Sequence, residues 1–149
     1  MWTVDGGKYA MICRRFHRQP FCYNGGPLVP EFVVSEYQIY HNPRCSKSRA
    51  TLALLQEHGI EPEIVLYLEH PPSQAALKRL LAKLDISAAE LVRRGEAEYK
   101  ALGLGAGSSQ ADLLRAMSAH PKLIERPIVV RGERAVLGRP PENVLALLA

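Results

Sequence analysis

The chain has 149 residues, 47% of them hydrophobic and 23% charged, which suits one packed core and is too short to divide comfortably into two domains. A formal charge of +4 excludes a nucleic-acid-scale basic surface, although clustered arginines still suit a small anion. No apolar run approaches the roughly 18 residues of a membrane helix, the N-terminus lacks the apolar core of a secretory signal, and three cysteines, an odd number, favour free thiols in a reducing cytosol.

Residues 1–34 contain "DGG", "NGGP" and "LVP" with scattered basic residues and no sustained apolar period. An irregular, disordered extension is expected there, followed by a single domain over residues 35–149. A valine start codon at Val33 or Val34 would account for this boundary. Intact mass of the native protein tests that expectation, and a mass that includes Met1 excludes it.

From residue 36 the pattern sharpens. "EYQIY" alternates over a strand's length and leads into the turn "HNPRC". "SKSRATLALLQEHGI" reads as a helix with Ala50, Leu52 and Leu55 on one face and Gly59 as its stop. "EIVLYL" is a β-rich run closed by "EHPP", so strand, helix and strand form a βαβ unit with a parallel crossover. "SQAALKRLLAKLD" follows Pro71 and Pro72 with Ser73 as N-cap and carries an apolar stripe of Ala76, Leu77, Leu80, Leu81 and Leu84. "SAAELVRRG" reads as a short helix capped by Ser87, "LGLGAGSS" as a loop, and "SQADLLRAMSAH" as a helix ending near Pro121. The Gly-x-Gly-x-Gly string in that loop lacks the preceding strand that a phosphate cradle requires. "PIVV" and "RAVLG", joined by "RGE", make a hairpin, and "PPENVLALLA" closes with a helix whose start tolerates Pro140 and Pro141. The order βαβ, helical insert, ββα predicts an α/β fold, a four-stranded mixed sheet of thioredoxin-like skeleton with helices packed on it.

Cys45 falls at the first strand-to-helix turn, flanked by Arg44 and Arg49 and four residues after His41. A thiol at a helix N-terminus near cations has a lowered pKa and becomes a nucleophilic thiolate; the alternative is a small buried hydrophobe, the fate of most free cysteines. The same turn presents backbone N–H groups with the Ser46 and Ser48 hydroxyls, which act either as anion donors or as ordinary caps. His41 either orients the thiol or finishes the strand, and Asn42 shapes the turn. Position 48, where a C-x-x-C partner would stand, is serine, and Cys13 and Cys22 fall in the N-terminal extension.

The strings "IYHNPRCSKSR", "GIEPEIVLYLEHPPS", "ERPIVV" and "GRPPE", in this order, resemble the glutaredoxin-dependent arsenate reductases, an ArsC-like family with a thioredoxin-like fold and a helical insert. The resemblance covers essentially all of residues 36–149, and the "HNPRCSKSR" turn is closest to an arsenate-reductase-like branch. It implies that Cys45 attacks arsenate to form a thiol-linked arsenic adduct and that His41 influences the thiol, with Ser48 and Arg49 matching the residues after the cysteine. It further implies that Arg93, Arg126 and Arg139 hold the oxyanion, and that Pro127 is the cis proline opposite the cysteine. With no resolving sulfur at position 48, glutathione is expected as co-substrate and glutaredoxin as the partner that clears the mixed disulfide. No cofactor or metal is expected to be bound, and no nucleic acid or membrane to be a partner; the protein is expected to act as a cytoplasmic monomer. Two other readings remain: an Spx-like redox regulator that binds RNA polymerase, which the missing C-x-x-C disfavours, and a thiol reductase of the same fold acting on another oxyanion or a mixed disulfide.

Overall fold

The computed structural model describes residues 35–149; the expectations for residues 1–34, for Cys13 and Cys22, and for a start at Val33 or Val34 lie outside the described residues. Strand β1 (Tyr37–Tyr40) pairs in parallel with β2 (Glu63–Val65) and antiparallel with β3 (Ile128–Arg131), which continues antiparallel to β4 (Arg134–Leu137). The sheet has four strands in the order β2-β1-β3-β4, the mixed arrangement that the βαβ and ββα order predicts. β3 lies inside the sheet and is buried on both faces. Its alternation sends Ile128 and Val130 into one apolar cluster and Val129 into the other.

Helix α1 (Ser46–Glu57) supplies the crossover and packs, with a closing 3-10 helix (Pro141–Leu147), on the face that holds Ile39, Leu55, Val129 and Val144. Its buried positions are Ser48, Thr51 and Leu55, three and four residues apart as one helical face requires. Ala50, expected on that face, is exposed, because the face is set by the sheet side of the turn that begins at His41. Gly59, at φ +74°, ends the helix in the left-handed region that glycine enters without a Cβ penalty.

The opposite face is covered by α2 (Gln74–Leu84), α3 (Ala88–Leu91) and α5 (Gln110–Ala119), with α4 (Ala97–Ala101) between the last two in sequence. Ser73 and Ser109 cap α2 and α5 by accepting the Ala76 and Asp112 backbone N–H groups. Leu77, Leu80 and Leu81 are buried as the stripe predicts, each contributing about 1.5–3 kcal/mol of burial.

Three of the predicted elements take a different form, and α4 was not among those predicted. β2 stops at Val65, three residues before the end of "EIVLYL", and Leu66–Glu69 turn back through bonds from Tyr67 N to Val65 O and Glu69 N to Leu66 O. β1 ends at Tyr40 and its last link is His41 N to Val65 O, so nothing remains for a longer β2 to pair with. The helix in "SAAELVRRG" ends at Leu91: Val92 bridges to Ile124 and Arg93 N donates to Leu123 O, which draws residues 92–94 out of helix and against the segment that precedes β3. The terminal helix is 3-10, with Pro141 in its first turn and Asn143 Nδ2 donating to Leu137 O and Arg139 O instead of continuing an α-helical register.

Candidate active site

The β1–α1 turn is built by short-range hydrogen bonds. Asn42 Oδ1 accepts from Arg44 N, Asn42 O accepts from Cys45 N, and Arg49 Nη1 donates to Pro43 O at 2.8 Å, clamping the turn from outside. Cys45 therefore becomes the N-cap of α1, in extended conformation, half-buried and, among the described residues, unbonded to another sulfur. Burial pushes its thiol pKa up, but the backbone N–H groups of Ser48 and Lys47 and the adjacent Arg126 guanidinium outweigh burial and hold it below the ordinary cysteine value. A thiolate at this position faces unpaired helix donors and one arginine, the arrangement that both activates the nucleophile and receives an oxyanion.

His41 does not reach the sulfur by a hydrogen bond of its own. Its Nδ1 lies 2.8 Å from Ser48 Oγ, which also accepts Asn42 N at 3.0 Å, and both His41 and Ser48 are buried. Burial first, then the Arg49 charge, lowers the His41 pKa, so the neutral imidazole is the favoured form. Ser48 thus connects the histidine, the turn and, through its backbone N–H, the thiol. Arg49 contributes from the exposed side, as a clamp and a charge.

Two groups that the sequence reading missed, Tyr67 and Glu125, hold the three arginines. Arg126 stands beside Cys45 and its Nη1 donates to Tyr67 Oη at 3.3 Å. Arg139 Nη1 is paired with Glu125 Oε1, and Arg93 Nε lies 3.8 Å from the same oxygen. Arg93 also contacts Glu96, but its buried Nη1 is out of line for a hydrogen bond and has no such partner among the described residues. Of the three, Arg126 acts on the Cys45 thiol, while Glu125, next to it in the chain, gathers Arg139 and Arg93. Arg94, its neighbour in sequence, points to Ala89 O on the exposed side.

Tyr67 is fully buried because β2 ends early and turns its side chain inward. Burial raises its pKa against the lowering effect of Arg126, keeping the phenol neutral as an acceptor for that guanidinium. A tyrosine inside an apolar run just before "EHPP" was the available signal, since a buried hydroxyl needs a partner. For Glu125 the signal was an acid directly preceding the arginine of "ERPIVV".

Behind the site, the Arg126–Pro127 bond is cis, as expected for Pro127, and Arg139–Pro140 is cis as well. Gly138 is wedged between Pro127 and Thr51: a Cβ there would lie 2.6 Å from Thr51 Oγ1 and 2.8 Å from Pro127 Cγ. This contact joins α1, which carries Cys45, to the two segments that carry Arg126 and Arg139. Among the described residues no His, Cys, Asp and Glu group has the makings of a metal site, and no helix is long and apolar enough to cross a membrane.

Fold and site together define a thioredoxin-like protein whose single described cysteine stands at a helix N-terminus beside an arginine cluster, its thiol pKa held below the ordinary value. Residues 40–147 match the profile of the ArsC family, and the chain belongs to that family. It is 53% identical over 118 residues to the uncharacterized protein YfgD of Escherichia coli K12, covering 78% of this chain and 99% of that one. It is 49% identical over 117 residues to an arsenate reductase of Neisseria meningitidis serogroup A, covering 77% of this chain and all of that one (100%). The solved structure of an arsenate reductase from Vibrio cholerae superposes with a TM-score of 0.72 at 51% identity, over 74% of this chain and 95% of the other.

Proposed function

We infer that the protein is an arsenate reductase that takes arsenate to arsenite through Cys45. The observation that carries this reading is the lowered thiol pKa at the N-terminus of α1, next to Arg126, in a chain about half identical to named arsenate reductases over most of its length.

The Cys45 thiolate attacks arsenic, forming an S–As bond as an As–O bond breaks, and the departing oxygen leaves as water after protonation. The backbone N–H groups of Ser48 and Lys47 and the guanidinium of Arg126 stabilise the anionic adduct, joined by Arg93 and Arg139 from the Glu125 cluster. A glutathione thiolate then attacks the Cys45 sulfur. The S–As electron pair passes to arsenic, which becomes As(III) and leaves as arsenite, and Cys45 remains as a mixed disulfide with glutathione. Glutaredoxin exchanges into that disulfide and returns the Cys45 thiolate. Support for an external second thiol is the serine at position 48, whose hydroxyl is committed to His41 and Asn42. A cytoplasm with a reduced glutathione pool is the compartment this chemistry needs.

The test is arsenate-dependent NADPH oxidation coupled through glutathione reductase, glutathione and glutaredoxin, with wild type and Cys45→Ser side by side. Wild-type turnover that needs glutaredoxin and falls to background in Cys45→Ser is expected. Turnover that survives in Cys45→Ser sinks the mechanism, and a folded, reduced wild type without turnover sinks the substrate.

A further inference from the structure

Glu125 is the unusual member of the site: a carboxylate placed where an oxyanion is to be received. Its side chain is 23% exposed, and Oε1 alone accepts the Arg139 guanidinium, accepts Arg126 N at 3.3 Å and lies 3.8 Å from Arg93 Nε. Glu96 adds a second carboxylate on Arg93. Glu96 and Glu125 thus occupy Arg93 and Arg139, the two arginines that do not act on the Cys45 thiol, without any ligand. An arriving arsenate meets the unpaired N–H groups at the start of α1 and Arg126 directly, but it engages Arg139 only by exchanging with a carboxylate.

The two pairs are not equally exchangeable. Arg93 is 24% exposed and bracketed by Glu96 and Glu125, whereas Arg139 is 46% exposed and, among the described residues, held at its guanidinium by Glu125 alone. We propose that Glu125 is a positioning residue that acts as a built-in competitor: it holds Arg139 in a parked position, and a tetrahedral oxyanion of sufficient charge takes that arginine over. This proposal rests on the reading of the site as an oxyanion site. The exchange makes affinity depend on ligand charge, because a monovalent anion has too little to offer Arg139 in place of a carboxylate, while a dianion has more. Glu125 therefore trades affinity for selectivity toward multiply charged tetrahedral anions.

The experiment reads binding without turnover: the concentration of arsenate that halves the rate of Cys45 alkylation by iodoacetamide, in wild type and in Glu125→Gln. The neutral isostere releases Arg139, so protection is expected at about tenfold lower arsenate, and nitrate, ineffective on wild type, is expected to begin to protect. In the coupled assay KM should fall with no rise in kcat, a split that general loosening of the fold does not produce. Adding Arg139→Gln should cancel the gain, since the competitor then has nothing to release. Glu125→Asp, which keeps the charge and draws it back, should move protection in the same direction by less, and it decides the matter if the Gln variant does not fold. Protection that is unchanged or weaker in a folded Glu125 variant overturns the proposal. If sulfate or phosphate protects wild type and arsenate does not, the arsenate reading fails and the same comparison is made with the protecting anion; if no divalent oxyanion protects either protein, the proposal is overturned.

Discussion

Ser48 serves the site twice, once through its side chain and once through its backbone, and the two uses separate by mutation. Its hydroxyl joins His41 Nδ1 to Asn42 N in a buried setting, so Ser48→Ala strands two polar groups and should cost about 1–3 kcal/mol in denaturant unfolding. Its backbone N–H, which lowers the Cys45 pKa, remains in that variant. Arg126→Gln removes the charge, replaces the guanidinium fork by a shorter neutral amide and leaves the backbone intact. The pH midpoint of Cys45 alkylation is therefore expected to move up clearly in Arg126→Gln and little in Ser48→Ala; an equal shift in both would refute this division of roles. Tyr67→Phe probes the next shell of support, since it removes the acceptor that orients Arg126 at 3.3 Å. We expect it to reduce arsenate turnover severalfold with little change in the alkylation midpoint, because the guanidinium stays near the sulfur but loses its fixed direction.

At the scale of elements, Gly138 is the point where the site-bearing segments touch. Adding one methyl there drives a Cβ into Thr51 of α1 and into Pro127, so Gly138→Ala should destabilise by about 1–3 kcal/mol and lower turnover together. Thr51→Ala in the same chain removes the closer of the two clashes, and partial recovery of both quantities is the expected result; no recovery would place the damage elsewhere. This contact shows what sequence reading reaches and where it stops. The succession of strands and helices along the chain, the N-cap at Ser73 and the placement of Cys45 at the start of α1 all follow from local patterns of period, capping and turn chemistry. The end of β2 at Val65, the departure of Val92 from helix and the pairing of Glu125 with Arg139 depend on which distant segment lies alongside, and no local pattern carries that information. Tyr67 was hidden for the same reason, since its burial follows from where β1 ends. The third arginine shows the limit most clearly: "VRRG" offers Arg93 and Arg94 alike, and only the pairing of residues 92–93 with 123–124 turns one inward and the other out.

For the whole molecule, the shifted groups combine into one stability profile against pH, with signs that can be worked out group by group. Burial and Arg49 lower the folded pKa of His41, so the unfolded chain binds the proton first, near pH about 6.5; stability is fully present above that pH and is lost as pH falls through the folded value. Cys45 is also lowered on folding, so its contribution is complete only above the unfolded thiol pKa of about 8.5 and is lost as pH falls through its folded value. Tyr40 and Tyr67 are raised, chiefly by burial, and act in the opposite sense: the unfolded chain loses their protons first, near pH about 10, and stability falls as pH climbs past that point. The lowered carboxylates of Glu90, Glu98 and Asp112 titrate far below these windows and leave them separate. Urea midpoints measured across pH should therefore rise in two steps, one near the histidine window and one below the thiol value, and turn down at the tyrosines. His41→Asn should flatten the lower step and Cys45→Ser the upper, each leaving the other in place. A wild-type profile that matches both variants throughout would mean that neither group changes its proton affinity on folding, and the electrostatic account of the Cys45 site would fall with it.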